Sequence, residues 1–135
     1  MTRSRVIVAI AAVVAGALGS GLIGCAEAPV QPTALVELMT RPAEKALLAG
    51  LRAYDDALYG EAERQLSQSL KLPLASTKDR AAAHKHLAFI YCTSNRATEC
   101  AAQFRSARVA DPAFTLSKSE AGHPSWGEVY KRIQP

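Results

Sequence analysis

The sequence predicts an all-α domain, and three observations predict it. From Thr33 onward the chain is rich in Ala, Leu, Glu, Lys, Arg and Gln, the residues that lose least side-chain freedom in a helix. No valine- or isoleucine-rich run alternates in polarity over a strand's length. Pro42, Pro73, Pro112 and Pro124 fall between segments of helical period, where they punctuate helices without interrupting them. The overall scale agrees: 135 residues, 49% hydrophobic and 21% charged, describe one globular domain and speak against disorder or a collagen-like repeat.

The first element is not part of that domain. Arg3 and Arg5 precede an uncharged apolar run from Val6 to Leu18, and small residues follow, the layout of a secretion signal. Leu22-Ile23-Gly24-Cys25 resembles the lipobox of bacterial lipoproteins. That resemblance implies removal of residues 1–24, a diacylglycerol on the Cys25 thiol and an acylated amine. The alternative is a retained span, since Val6 to Ile23 is 18 uncharged residues and about 20 cross a bilayer. Gly16, Gly19, Gly21 and Gly24 weaken such a helix, and no Lys or Arg follows until Arg41. Lipid chains suffice as an anchor, each buried CH₂ contributing about 0.8 kcal/mol. By the same resemblance, Ala26 after the Cys, where an Asp would commonly retain the protein at the inner membrane, implies the outer membrane, facing the periplasm. Residues 25–32 then form the lipidated Cys and a short extended tether containing Pro29 and Pro32. Without Arg3 and Arg5 the net charge of +4 drops to about +2, with no concentrated basic patch for nucleic acid.

Residues 33–135 form the expected helical domain, with helices over 34–39 (weak), 43–57, 59–72, 77–92, 96–110 and 124–133. Ser76-Thr77-Lys78-Asp79 resembles a capping box at the fourth of these. Between His84 and Pro112, the residues Leu87, Ala88, Tyr91, Cys100, Phe104, Ala107 and Pro112 stand at the spacings of a tetratricopeptide repeat. That resemblance implies a helical hairpin of about 34 residues, with Leu87 and Tyr91 one turn apart and small Ala88 and Cys100 where the helices cross. His84 replaces the preferred Trp, and Asn95 stands where the repeat usually has Gly, as the next-best residue for a left-handed turn. A weaker copy, offset by 38 residues, uses Gly50, Tyr59, Ala62, Leu66 and Ser69. Generic hairpin packing explains that copy nearly as well.

The last segment admits two readings. Trp126, Val129, Tyr130 and Ile133 make one apolar stripe after His123-Pro124, which fits a capping helix closing the last hairpin. Alternatively, Trp126 and Tyr130 stay partly exposed as partner anchors, since both residue types dominate interface hot spots. By resemblance to tetratricopeptide stacks, Leu47, Leu51 and Tyr54 of one unit and Lys85, Phe89 and Cys92 of the next line a concave face. Core packing competes for Leu47, Leu51 and Phe89, whereas Tyr54 and Lys85 are the expected exposed contacts.

Chemistry is hard to find. Cys92 and Cys100 face each other near the ends of two antiparallel helices, and an oxidising compartment favours a disulfide between them over two buried thiols. His84 and His86 are two apart on one helix and diverge, whereas helical metal ligands stand three or four apart. Asp55, Asp56, Glu61 and Glu63 read as solvated turn and helix-start charges. No nucleophilic triad, phosphate loop or metal cluster appears, so the expectation is no enzyme, no cofactor, no small-molecule substrate and no nucleic acid. The layout resembles the small tetratricopeptide lipoproteins that accompany type VI secretion systems, which implies a scaffold for an envelope complex. An activator of a periplasmic cell-wall enzyme and an outer-membrane assembly accessory fit the same residues.

Overall fold

The computed structural model describes residues 41–134, which form helices and, among these residues, no strand. The signal segment, Cys25, the tether and the weak helix over 34–39 lie outside the described residues. Helix α1 (Pro42–Asp55) opens on a proline at its first position, where a missing N–H is harmless. It pairs with α2 (Tyr59–Lys71), and α3 (Thr77–Thr93) pairs with α4 (Ala97–Ala110). Ser76 caps α3 by accepting from the Asp79 N–H at 3.2 Å. The pairs join through α2 against α3 and, more lightly, α1 against α3.

Both pairs turn in the same way. Ala57 and Asn95 adopt left-handed backbone at φ 59° and 60°. In the first turn Leu58 N–H donates to Ala53 O and Ala57 N–H to Tyr54 O; in the second Arg96 N–H donates to Tyr91 O and Asn95 N–H to Cys92 O. These are two Schellman closures 38 positions apart. The first was not legible as a stop: α1 ends two residues before the expected Ala57, because an alanine, not a glycine, takes the left-handed position. That conformation costs an alanine roughly 1–2 kcal/mol.

Close approach of the helices depends on small residues. Ala62, Ala88, Cys100 and Ala107 are fully buried, with Leu66 and Phe104 beside them. A Cβ on Gly50 would stand 2.7 Å from Leu66 Cγ, so glycine sets the α1–α2 spacing. Leu66, Leu87 and Phe104 are the largest fully buried apolar side chains, each Leu or Phe contributing about 1.5–3 kcal/mol on burial.

The C-terminal segment departs from the single helix expected over 124–133. It contains a helical turn, α5 (Lys118–Ala121), a tight bend, and a short α6 (Gly127–Arg132) packed on α4 and α5. Ser117 and Glu120 form a full capping box that nucleates α5. His123 Nδ1 accepts the Ser125 N–H at 3.2 Å, and Trp126 sits at φ −129°, so helical backbone starts only after it. Among the described residues no helix is long and apolar enough to cross a membrane.

Candidate functional site

The α1–α3 face expected to bind a partner is built from aromatic rings. Tyr54 on α1 meets the edge of His86 on α3 at 5.1 Å between ring centres and lies 6.4 Å from Phe89. Phe89 stacks on Trp126 at 4.1 Å, and Trp126 stacks in turn on His123 at 3.5 Å. Behind them Phe104 packs edge-on against Phe89 and Tyr130. Such pairs add about 0.5–1.5 kcal/mol each beyond simple burial.

The chain's own C-terminal segment therefore covers part of this face, which fits the capping reading of Trp126 and Tyr130 and the core reading of Phe89 and corrects their role as exposed partner contacts. Phe89, Trp126 and Tyr130 are buried in the core. Trp126 Nε1–H donates to the Glu120 carbonyl at 2.8 Å, and Tyr130 Oη accepts the buried Leu116 N–H at 3.1 Å, so both polar tips are used internally. Neither is a free anchor, because the bend before α6 turns both rings inward. Lys85 is not a free contact either: its ammonium bridges Glu120 at 2.7 Å and lies 5.7 Å from the centre of the Phe89 ring. Partial burial pushes the Glu120 carboxyl up, but hydrogen bonds from Lys85 and Ser117 outweigh it and hold the group below the usual carboxylate value. Tyr54 is half-buried, and burial, with help from nearby Tyr59 and Asp55, raises its hydroxyl above the usual tyrosine value.

Open apolar surface remains beside Tyr54, where Tyr59 packs edge-on at 5.6 Å while itself 47% exposed, next to Leu58 at 58%. An ion pair joins the two helix pairs at the C-terminal end of α3. Arg96 grips Glu63 through 3.0 and 3.1 Å hydrogen bonds, reaches Glu99 at 3.1 Å and lies over the Tyr91 ring. Glu63 is thus a structural partner and not a solvated helix-start charge. Glu44, missed in the sequence, is buried at the start of α1, pairs with Arg41 at 4.0 Å and accepts the Ala75 N–H at 3.4 Å. Glu120 was also missed, although Ser117-x-x-Glu120 is a capping signature.

The histidines diverge as expected from their spacing. His84 Nδ1 meets Gln103 Oε1 at 2.6 Å on α4, and His86 Nδ1 meets the Ala82 carbonyl at 2.8 Å. Burial lowers both imidazoles below the usual histidine value. Among the described residues no three His, Cys, Asp or Glu side chains gather as for a metal, and no buried side-chain polar atom lacks a partner. Cys92 and Cys100 are joined as a disulfide across the α3–α4 turn, with Cα atoms 5.2 Å apart. Set against known protein families, curated proteins and solved structures, the chain has no significant match.

Proposed function

We propose that the chain is a periplasm-facing outer-membrane lipoprotein, anchored through Cys25, whose tetratricopeptide-like hairpins act as a non-enzymatic scaffold or adaptor for an envelope protein complex. The observation that supports the repeated-hairpin part is the recurrence of one hairpin closure at Ala57 and Asn95, in register with the 38-residue offset, while the anchor rests on the lipobox-like Leu22-Ile23-Gly24-Cys25. Buried small residues at Ala62 and Cys100 and bulky ones at Leu66 and Phe104 keep the same register. Repeats of this kind bind by shape through stacked hairpin faces. With Phe89 and Lys85 already engaged, the partner-contacting part of the α1–α3 face is the edge formed by Tyr54, Leu58 and Tyr59. A type VI secretion accessory is the specific setting we favour, on the overall layout of lipobox, hairpins and C-terminal helix.

Intact-mass analysis of the protein extracted from a two-membrane bacterium tests the anchor. The expected species lacks residues 1–24 and carries acyl groups on Cys25, and Cys25→Ser should leave an unprocessed precursor. An unmodified Cys25 would remove the anchor from the proposal. Crosslinking in intact membranes tests the scaffold: Tyr54→Ala with Tyr59→Ala should abolish a discrete envelope-protein adduct while leaving the helical circular dichroism unchanged. An adduct that survives both changes would reject this face.

A further inference from the structure

Three shallow hollows run together along the outward face of α4. The first, about 410 Å³, lies between α4 and α6, with Ala101 and Val129 beside Arg105 and Arg132. The second, about 390 Å³, shares Arg105 and adds Arg108, Val109 and Pro112. The third, about 330 Å³, shares Val109 and is walled by Arg80 and His84 of α3. The furrow follows most of a 14-residue helix, about 20 Å at 1.5 Å per residue.

Its charge is one-sided. Arg64, Lys85, Arg96 and Lys131 each hold a carboxylate elsewhere on the domain. Among the described residues, Arg80, Arg105, Arg108 and Arg132 have no carboxylate within ion-pair distance. Arg80 and Arg108 instead donate to the carbonyls of Leu74 and Ile133, which fixes them along the walls. Of the acidic neighbours, Glu128 is held by Lys131 at 2.8 Å and is also attracted by Arg132, and Asp111, at the Pro112 end, accepts the Ala113 N–H at 3.0 Å. Within this cationic frame Val109 is 83% exposed, more than Leu58 or Tyr59.

We infer that this furrow docks an acidic amphipathic segment of a protein partner. Its apolar side chains seat on Ala101 and Val109, and its carboxylates meet Arg105 and Arg132. Charge complementarity selects an acidic occupant, and the planar guanidinium fork pairs with carboxylates through two parallel hydrogen bonds. Cationic side chains on both flanks of α4, with the exposed Val109 at its crest, favour a segment that can reach both flanks over a flat lipid surface. The inference rests on α3, α4 and α6 alone and stands whether or not Cys25 is lipidated or the hairpins are tetratricopeptide repeats.

The test uses the full chain in neutral detergent micelles and a labelled peptide of about 14 residues with Glu and Leu at helical spacing, matched to the furrow length. Fluorescence polarisation should show saturable binding that weakens as salt rises from about 0.05 M to about 0.3 M. Arg105→Glu combined with Arg132→Glu should weaken it by at least roughly tenfold, and a peptide with Lys in place of Glu should not bind. Both arginines are exposed and outside ion-pair distance of any described carboxylate, so the double variant should keep the helical fold, checked by circular dichroism. Three results would overturn the inference: no saturable binding, equal affinity in the double variant, or Arg105- and Arg132-dependent association with phosphatidylglycerol-doped micelles while the peptide is ignored. The last would assign the face to a lipid surface.

Discussion

Gly127→Ala isolates how the C-terminal segment is held. A Cβ built on Gly127 stands 2.5 Å from the Ala121 carbonyl oxygen and 3.5 Å from its carbon. Because the obstacle is backbone, no side-chain rotation relieves it, and α5 or α6 must shift by about 1 Å to restore normal contact. Overpacking of this kind costs about 1–3 kcal/mol, and a backbone obstacle places it at the upper end. Against that, Ala restricts the unfolded chain more than Gly, a gain of about 0.4–1 kcal/mol. The net expectation is a loss of about 2 kcal/mol, or roughly 8–15 °C in Tm for a domain of this size. Trp126, the only tryptophan in the sequence, sits one residue away, buried against Phe89, so its emission reports the local step directly. Thermal melts followed by circular dichroism and by Trp126 fluorescence should both shift, the fluorescence change coming first if the segment detaches before the hairpins unfold. Gly60→Ala is the control, since nothing lies within 4 Å of its added Cβ, and it should leave Tm unchanged or slightly higher. A Gly127→Ala protein with native emission and a Tm within 2 °C of the parent would refute the backbone-contact argument.

Ala57→Gly should raise stability by about 1 kcal/mol in urea titration, because it relieves the left-handed alanine at φ 59°. Tyr130→Phe strands the buried Leu116 N–H and should cost about 1–3 kcal/mol in the same assay with helix content unchanged. Reducing Cys92–Cys100 opens a loop of about nine residues and should lower stability by about 2.5 kcal/mol, read from urea midpoints with and without dithiothreitol. Acid should act in two stages. The folded His84 and His86 titrate below their ordinary 6.5, so their contribution is complete above about pH 6.5 and is lost as pH falls toward the lowered values. Glu120 titrates below its ordinary 4.5, so its contribution is complete above about pH 4.5 and is lost below that. His84→Asn with His86→Phe should flatten only the first stage of stability measured against pH, and Lys85→Met should diminish the second.

What local chemistry dictates was legible in the sequence. Helix composition, proline punctuation and the Ser76 cap placed four main helices to within one or two residues, because each signal acts within a turn or two of the residue that carries it. The close crossing at small Ala88 and Cys100 and the left-handed turn at Asn95 were expected from the resemblance to a tetratricopeptide pattern, in which those positions take small residues and Gly. Ala57, in the equivalent position, carried no such signal, since an alanine is held left-handed only by the packing of the helices it joins. The fates of the candidate contacts were settled by tertiary structure. Lys85 and Glu120 are 35 positions apart, and nothing in either neighbourhood marks them as partners. Trp126 and Tyr130 read first as a capping stripe and alternatively as interface anchors, and the bend at residues 122–126 turns both inward. The arginine furrow draws on three helices that are separate in sequence, so its one-sided charge exists only once they are packed. Helical periodicity is a property of a few consecutive residues, but whether a charged or aromatic group ends up paired, buried or open depends on which distant segment arrives beside it.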